Sequence, residues 1–286
     1  MALVRVAEIY KKARQGNYGV SGFCAENLDM VLAILEAAEE AMAPVVVVLW
    51  EADIKAVGSG YLEAIVRHGA EKVKVPVGIM LDHGSDLASC LQAMMNGHSG
   101  VMVDASHLDF ERNISQTREV CRVGHLLNIL VEGELGTVRR SFETTGPFSE
   151  ETIFTDPLQV PMFVRETGVD AVAISIGTES GIPKEPPILD FERLRTISNN
   201  TEAFIVIHGG SGILADDLRK AIECGATSFR FASEMRVAYL TALIEAKKNL
   251  PDDFPDTRCI YGPARAAAKK LIVERMKQLG CAGKAW

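Results

Sequence analysis

The sequence predicts an α/β fold: a single (β/α)8, or TIM, barrel that spans residues 1–286. Eight short apolar runs alternate with segments of helical periodicity, which is the pattern of repeated βαβ units. Most of these runs are continuously apolar, as expected for parallel strands that helices cover on the outside. The residues capable of chemistry follow the ends of the runs, where a barrel of this kind builds its active site.

The predicted elements follow one another in regular order. A first helix covers residues 2–14, ahead of the barrel. The predicted strands are 18–24, 44–50, 76–82, 100–105, 128–134, 171–177, 203–208 and 227–232. The predicted helices that follow them are 26–41, 58–73, 85–96, 110–126, 156–167, 190–198, 214–223 and 235–248, with an extra C-terminal helix over 262–279. Residues 137–155 form the longest loop, and long loops at a catalytic face are usually lids or binding loops.

An open, doubly wound sheet is the competing architecture for such an alternating pattern. No Gly-x-Gly-x-x-Gly motif follows the first strand. Because that motif often opens the first helix of doubly wound nucleotide-binding folds, its absence favours the closed barrel.

Composition limits the class of protein. The chain has 286 residues and 48% hydrophobic content, enough for one large core. Its formal net charge of −8 argues against a nucleic-acid-binding surface, which needs a basic stripe. The six cysteines are scattered without a C-x-x-C pair, as is typical of reduced thiols in the cytosol. No signal peptide and no apolar run of membrane-spanning length is evident. We therefore expect a cytoplasmic protein without nucleic-acid or membrane partners.

Two histidines close apolar strands, and each is followed by glycine. His83 ends the third strand and His208 ends the seventh. Imidazole suits zinc, and catalytic zinc usually has three protein ligands and one open position. Glu134, Asp104 and Glu179 are candidates for the third ligand.

Asp82 precedes His83 and is a candidate for a supporting or proton-transferring group. Adjacent residues of a strand point to opposite faces. Asp82 and His83 can therefore share one site only if the strand already turns there.

A glycine-rich segment, Gly209-Gly210-Ser211-Gly212, follows His208. Glycines let the backbone approach a ligand closely, and free N–H groups can cradle an anion. The predicted helix 214–223 would point its positive end at the site. Phosphate sites in these barrels are often formed by the loops after strands seven and eight. A plain tight turn is the alternative interpretation.

The eighth strand contains an arginine between two phenylalanines. Phe229 and Phe231 are expected to pack outward against helices, so that Arg230 points into the barrel. A buried arginine must be paired. Either a carboxylate such as Glu134 or Glu179 pairs Arg230, or Arg230 binds an anionic substrate.

Together these motifs resemble the class II, metal-dependent fructose- and tagatose-bisphosphate aldolases, from the first helix to about residue 240. The segments that carry the resemblance are Leu81-Asp82-His83-Gly84, Val103-Asp104-Ala105-Ser106-His107, Glu132-Gly133-Glu134-Leu135-Gly136, Thr167-Gly168-Val169-Asp170-Ala171, Ile176-Gly177-Thr178 and His208-Gly209-Gly210-Ser211-Gly212.

The resemblance implies a lyase that cleaves a ketose phosphate into dihydroxyacetone phosphate and an aldehyde. Zinc, or another divalent metal, would polarise the ketone. Asp82 is implied as the proton donor, and Glu143 stands in the family's acidic catalytic loop. With the candidates above, the proposed metal set is His83, His208, Glu134, Asp104 and Glu179. The proposed substrate-binding and phosphate-binding set is Ser180, Gly181, Lys184, Gly209, Gly210, Ser211, Arg230, Ala232, Ser233 and Trp50. A homodimer or homotetramer is also implied.

This chain departs from the family pattern inside the site. The changed positions are Cys24, Trp50, Ser180 and Arg230, where the family has asparagine, serine, a zinc-binding histidine and asparagine. Arg139 and Arg140 stand where it has two glycines. We therefore expect a phosphorylated ketose or a related anionic substrate other than fructose 1,6-bisphosphate.

Two other functions are compatible with the sequence. One is a metal-free lyase, isomerase or epimerase in which Arg230 replaces the metal as the electrophile. The other is a non-catalytic, aldolase-like subunit that keeps the barrel without the chemistry.

Overall fold

Eight parallel strands close into a barrel in the computed structural model, which describes residues 3–140 and 154–286 except the side chains of 139 and 140. The barrel strands are β1 (Val20–Cys24), β2 (Val45–Trp50), β3 (Val77–Gly84), β4 (Gly100–Val103), β5 (Leu130–Leu135), β7 (Ala171–Ile174), β9 (Phe204–Ile207) and β10 (Ala226–Phe231). Strand β10 pairs in parallel with β1 and completes the ring. The predicted (β/α)8 barrel is confirmed, and the open sheet is excluded.

Two short strands lie outside the barrel. They are β6 (Arg139–Arg140) and β8 (Glu179–Ser180), which pair in parallel with each other. These strands follow β5 and β7 in the chain, so the small sheet links two of the loops at the C-terminal face of the barrel.

Helices follow the barrel strands and cover the outside. The helices are α1 (Val6–Gly16), α2 (Leu28–Ala41), α3 (Glu51–Val57), α4 (Tyr61–Ala70), α5 (Leu87–Met95), α6 (Phe110–Leu126), α7 (Gln159–Thr167), α8 (Phe191–Asn199), α9 (Ala215–Glu223), α10 (Ser233–Lys248) and α11 (Arg258–Gln278). The extra N-terminal and C-terminal helices agree with the prediction. None of the helices in these described ranges is long and apolar enough to cross a lipid bilayer.

The continuously apolar strands are buried on both faces. Residues 45–49 of β2 are fully buried. A Cβ at Gly133 of β5 would meet Phe163 of α7 and Thr117 of α6, so this glycine allows two helices to pack closely against the outer face of the strand. Each buried valine contributes about 1.5–3 kcal/mol, which is why polar residues inside these strands need a specific partner.

Helix α1 closes the N-terminal end of the barrel. The N–H of Val4 donates to the carbonyl of Val77 at the start of β3, at 2.9 Å. Val6 and Tyr10 are fully buried, and the Tyr10 hydroxyl reaches into the barrel interior, 2.9 Å from Arg230. With this end filled, the opposite end, where the strands terminate, is the open one.

Candidate active site

The backbone turns sharply at the end of β3. His83 has a left-handed conformation with φ of 49°, and the register of β3 against β4 shifts between Leu81 and Gly84. A left-handed backbone is unfavourable for a residue with a side chain and persists only where the surroundings enforce it. This turn allows the adjacent Asp82 and His83 to line the same pocket, which is the condition that the sequence left open.

His83 lies close to three carboxylates. Its Nδ1 lies 2.7 Å from Asp104 Oδ2 and 3.8 Å from Glu134 Oε2. The other oxygen of Asp104 accepts hydrogen bonds from the N–H and the hydroxyl of Ser106, at 3.2 and 2.7 Å. Nε2 of His83 lies 4.0 Å from Asp82 Oδ2. Because an ionised carboxylate can only accept, Nδ1 of His83 carries a proton, so that Nε2 is the nitrogen that carries the lone pair in the neutral ring.

His208 extends from the end of β9 and is buried. Its Nε2 lies 3.0 Å from Oε1 of the fully buried Glu132, and its ring centroid lies 5.0 Å from that of His83. Burial lowers the pKa of His208, and the hydrogen bond to Glu132 only partly opposes this effect. His208 is therefore a neutral imidazole at neutral pH.

Side-chain nitrogen and oxygen atoms that could bind a metal ion converge at this end of the barrel in two overlapping groups. The donor atoms of Asp82, His83 and His208 lie within 4.8 Å of one another, and so do those of His83, Asp104 and Glu134. Histidine nitrogens and carboxylate oxygens are the donors that zinc and other first-row divalent metals take. The side chains present therefore fit a divalent ion.

Glu179 belongs to neither group of donors. It lies in β8, and its backbone passes close to the loop after β9, since a Cβ at Gly209 would lie 2.6 Å from the carbonyl oxygen of Glu179. Gly209 has a φ of 67°, so a glycine is needed both for its conformation and for this close approach.

A pocket opens above these donors. Its lining residues are Cys24, Trp50, Asp82, His83, Ser180, Gly181, His208, Gly209, Ser211, Arg230, Ala232, Ser233 and Arg236.

Most of the predicted substrate-binding residues lie in this pocket, with two exceptions. Gly210 does not line it, and its N–H donates to the carbonyl of Arg230 at 2.9 Å. Lys184 is exposed and does not line it. Glu143 lies outside the described residues, so its predicted catalytic role stays a prediction.

Helix α10 begins at the wall of the pocket. Ala232 and Ser233 are lining residues, and the Ser211 hydroxyl accepts a hydrogen bond from the N–H of Glu234 at 3.3 Å. Helix α9 contributes no residue to the lining of this pocket, so the expectation that helix 214–223 points its positive end at the site stays a prediction. The positive end of the α10 dipole makes this wall of the pocket favourable for an anion.

Arg230 is buried at the floor of the pocket and paired with a carboxylate. Its Nη2 lies 2.7 Å from Glu132 Oε2. Burial alone would lower the pKa of Arg230, but Glu132 and the other nearby acidic groups raise it above its ordinary value. The prediction that a carboxylate pairs Arg230 is confirmed. The predicted partners were wrong, because the carboxylate is that of Glu132 and not that of Glu134 or Glu179. Glu132 and Glu134 are two residues apart on β5 and share one face, so only the relative depth of Arg230 decides between them.

Two lining residues had no predicted role. The Cys24 thiol donates to Asp82 Oδ2 at 3.6 Å, and burial raises the pKa of this thiol well above its ordinary value. Arg236, in the first turn of α10, is paired with Glu26 and lies 3.2 Å from Asp53 Oδ2, with its guanidinium 5.9 Å from the Trp50 ring centre. Arg236 follows the predicted substrate-binding residue Ser233 by three positions, which is one helical turn, and this spacing is the signal that could have identified it.

Comparison with known proteins gives one consistent result. The family described as "Fructose-bisphosphate aldolase class-II" matches residues 4–284. The chain is 34% identical to the fructose-bisphosphate aldolase of Thermus caldophilus, with 99% of this chain and 100% of that protein covered. It is 35% identical to the probable fructose-bisphosphate aldolase of Bacillus subtilis, with 100% of both covered. The crystal structure of the YdjI aldolase from Escherichia coli K12 has a TM-score of 0.87 at 29% identity, with 99% of this chain and 100% of that chain covered. The chain therefore belongs to the class II fructose-bisphosphate aldolase family, a family of carbon–carbon lyases, and the resemblance drawn from the motifs is confirmed.

Proposed function

We propose that this protein catalyses the reversible aldol cleavage of a phosphorylated ketose with the help of a divalent metal. The observation that carries the proposal is the convergence of Asp82, His83 and His208 within 4.8 Å at the pocket floor, despite the serine at position 180. A base, two imidazoles and an anion-favouring helix start in one pocket are what retro-aldol chemistry on a sugar phosphate needs.

His83 and His208 would hold the metal, with Asp104 and Glu134 as the nearby carboxylates. A divalent ion there would supply Lewis-acid stabilisation of the negative charge that develops on the substrate's ketone oxygen. Asp104 fixes the orientation of the His83 ring through the 2.7 Å contact with Nδ1. This contact leaves Nε2 as the nitrogen that would bind the metal. Glu179 stays a weaker candidate, since it lies outside both donor groups.

Asp82 is the proposed proton-transfer group. It is buried and lies beside the histidines, with the Cys24 thiol hydrogen-bonded to Oδ2 and the Arg230 Nε 3.8 Å from Oδ1. These contacts hold the carboxylate in one orientation facing the pocket. In the cleavage direction Asp82 would take the proton from the substrate hydroxyl next to the breaking carbon–carbon bond, or return a proton to the carbanion end.

The phosphate of the substrate would bind between the loop after β9 and the start of α10. Gly209, Ser211, Ala232 and Ser233 line that wall, and the helix dipole favours an anion there. Ser180 and Gly181 line the pocket too and would contact the ketose half.

The other half of the substrate would meet Trp50. Its indole occupies part of the pocket beside Arg236, whose charge is already paired with Glu26 and Asp53. We infer that the aldehyde half is smaller or less charged than glyceraldehyde 3-phosphate, which argues against fructose 1,6-bisphosphate as the natural substrate.

The metal-free alternative, with Arg230 as the electrophile, loses support from the contacts of Arg230. Its guanidinium donates to Glu132, Tyr10 and Ser228, and the side chain is only 3% exposed. A guanidinium committed to these buried acceptors has little left to offer a substrate oxygen. The membership in a family of lyases likewise favours an enzyme over a non-catalytic subunit.

An Asp82→Asn variant tests the proposed role of the carboxylate. Asparagine keeps the size of the side chain but cannot accept the proton, so kcat for cleavage of phosphorylated ketoses should fall about 10²- to 10⁴-fold. The matched control is Asp86→Asn, four residues along the chain, where asparagine preserves the N-cap of α5. Equal melting temperatures of both variants and unchanged turnover in Asp86→Asn are expected. Normal turnover by Asp82→Asn would reject the assignment.

We also propose a homodimer or homotetramer. It rests on the family resemblance alone, and the mass of the purified protein in sedimentation measures it directly.

A further inference from the structure

A line of polar side chains runs through the barrel interior beneath the pocket. Tyr10 at the closed end contacts Arg230, Arg230 contacts Glu132, and Glu132 contacts His208, with distances of 2.9, 2.7 and 3.0 Å. All four side chains are at most 4% exposed. Such a line is costly in an apolar core unless each member is hydrogen-bonded, and here each member is.

Glu132 uses its two oxygens for different partners. Oε1 faces Nε2 of His208, and Oε2 faces Nη2 of Arg230. A carboxylate that is ion-paired with arginine can only accept hydrogen bonds, so Nε2 of His208 must donate. The lone pair of His208 is then on Nδ1, the nitrogen that a metal would use.

The barrel makes room for the guanidinium of Arg230 at a glycine. A Cβ at Gly22 in β1 would lie 2.9 Å from Nη1 and 3.1 Å from Cδ of Arg230. Nη1 also donates to the Ser228 hydroxyl at 2.9 Å. These contacts hold the guanidinium against Glu132, at the floor of the pocket.

We propose that Arg230 and Glu132 form a positioning pair that fixes the ring orientation and the tautomer of His208 for metal binding. Arg230 therefore acts through Glu132 and is not primarily a substrate-binding residue. This inference rests on the proposed metal-dependent function. It also explains how an arginine is accommodated at a position where the family has asparagine: it becomes the counter-ion of a buried glutamate.

Zinc affinity of the metal-free full-length protein, measured by competition with a chromophoric chelator, tests the pair. In Arg230→Met, Glu132 loses its ion pair and no longer holds His208, so zinc should bind about 10- to 100-fold more weakly. The double variant Glu132→Leu/Arg230→Met removes both buried charges together. It should fold even if Arg230→Met does not, and it should show the same weakened zinc binding.

Arg14→Met is the matched control. Arg14 is also an arginine held by close hydrogen bonds, to the carbonyls of Glu202 and Ala203 at 2.8 and 2.7 Å, but it lies on α1 at the closed end. Its loss should lower the melting temperature and leave zinc affinity unchanged.

Two results would overturn the inference. If both Arg230 variants bind zinc as tightly as the wild type and only KM for the ketose phosphate rises, Arg230 binds substrate directly. If the wild type binds no zinc, the proposed function fails together with this inference. A wild type that binds zinc but cleaves no phosphorylated ketose rejects only the proposed reaction, and the zinc comparison still decides the role of the pair.

Discussion

Individual residues of the site could be named from the sequence more readily than their partners. Asp82, His83 and His208 stand at strand ends, where chemistry in a barrel is expected. That Asp82 and His83 face one pocket depends on the left-handed backbone at His83, for which a histidine in sequence gives no signal. The ion pair of Arg230 with Glu132 depends on how deep two strands lie relative to each other. Alternation along one strand does not contain that information.

Trp50 is the residue with the clearest expected effect on substrate choice. Replacement by serine removes the indole from the pocket wall and leaves a good N-cap for α3, so stability should be preserved. We expect Trp50→Ser to raise kcat/KM for ketose bisphosphates relative to ketose monophosphates by about tenfold, which corresponds to about 1.4 kcal/mol. Steady-state kinetics on both substrate classes measures this ratio.

Trp286→Ser provides the comparison for Trp50→Ser. Trp286 is the other tryptophan of the chain and packs beside Lys12, outside the pocket. This variant should leave the substrate ratio unchanged. An unaltered ratio in Trp50→Ser would mean that the indole does not limit the aldehyde half.

At the scale of elements, the barrel strands were easier to predict than the short helix and the short strands between them. Burial on both faces makes a barrel strand continuously apolar, and that pattern is visible in the sequence. Helix α3 has seven residues, too few for a clear helical period, and β6 and β8 have two residues each. The start of α10 also lines the pocket, and the glycine-rich motif after β9 gave no indication of this second helix.

The connection from α5 to β4 contains a buried titratable group. The His98 ring is 2% exposed, with Nδ1 2.9 Å from the Ala93 carbonyl, and burial lowers the pKa of His98 to about 4. Because the pKa in the unfolded chain is about 6.5, the unfolded state binds the proton first as the pH falls. The stability that neutral His98 contributes is present above about pH 6.5 and is lost as the pH falls toward 4.

Urea unfolding at several pH values measures the contribution of His98. Between pH 7 and pH 5 the free energy of unfolding of the wild type should fall by about 2 kcal/mol more than that of His98→Gln. The exposed His68 serves as control, and His68→Gln should keep the slope of the wild type. Parallel curves for the wild type and His98→Gln would contradict the assignment.

At the scale of the whole molecule, the alternation of strands and helices was sufficient to predict the closed barrel. Closure places all strand ends at one face, and α1 fills the other, so one open end remains for the site. We propose that residues 1–286 form a single domain around this barrel. What the alternation could not predict is the polar line from Tyr10 to His208, because it joins α1, β10, β5 and β9 through the interior.

The central claim is that the site binds a divalent metal although Ser180 replaces the third family histidine. The most direct test is metal content per chain by elemental analysis, on protein purified without a metal-binding tag and then supplied with zinc. We expect about one ion per chain in the wild type and a strong loss of the ion in His208→Ala, with both proteins folded. No bound ion in the wild type, or equal content in His208→Ala, would contradict the claim.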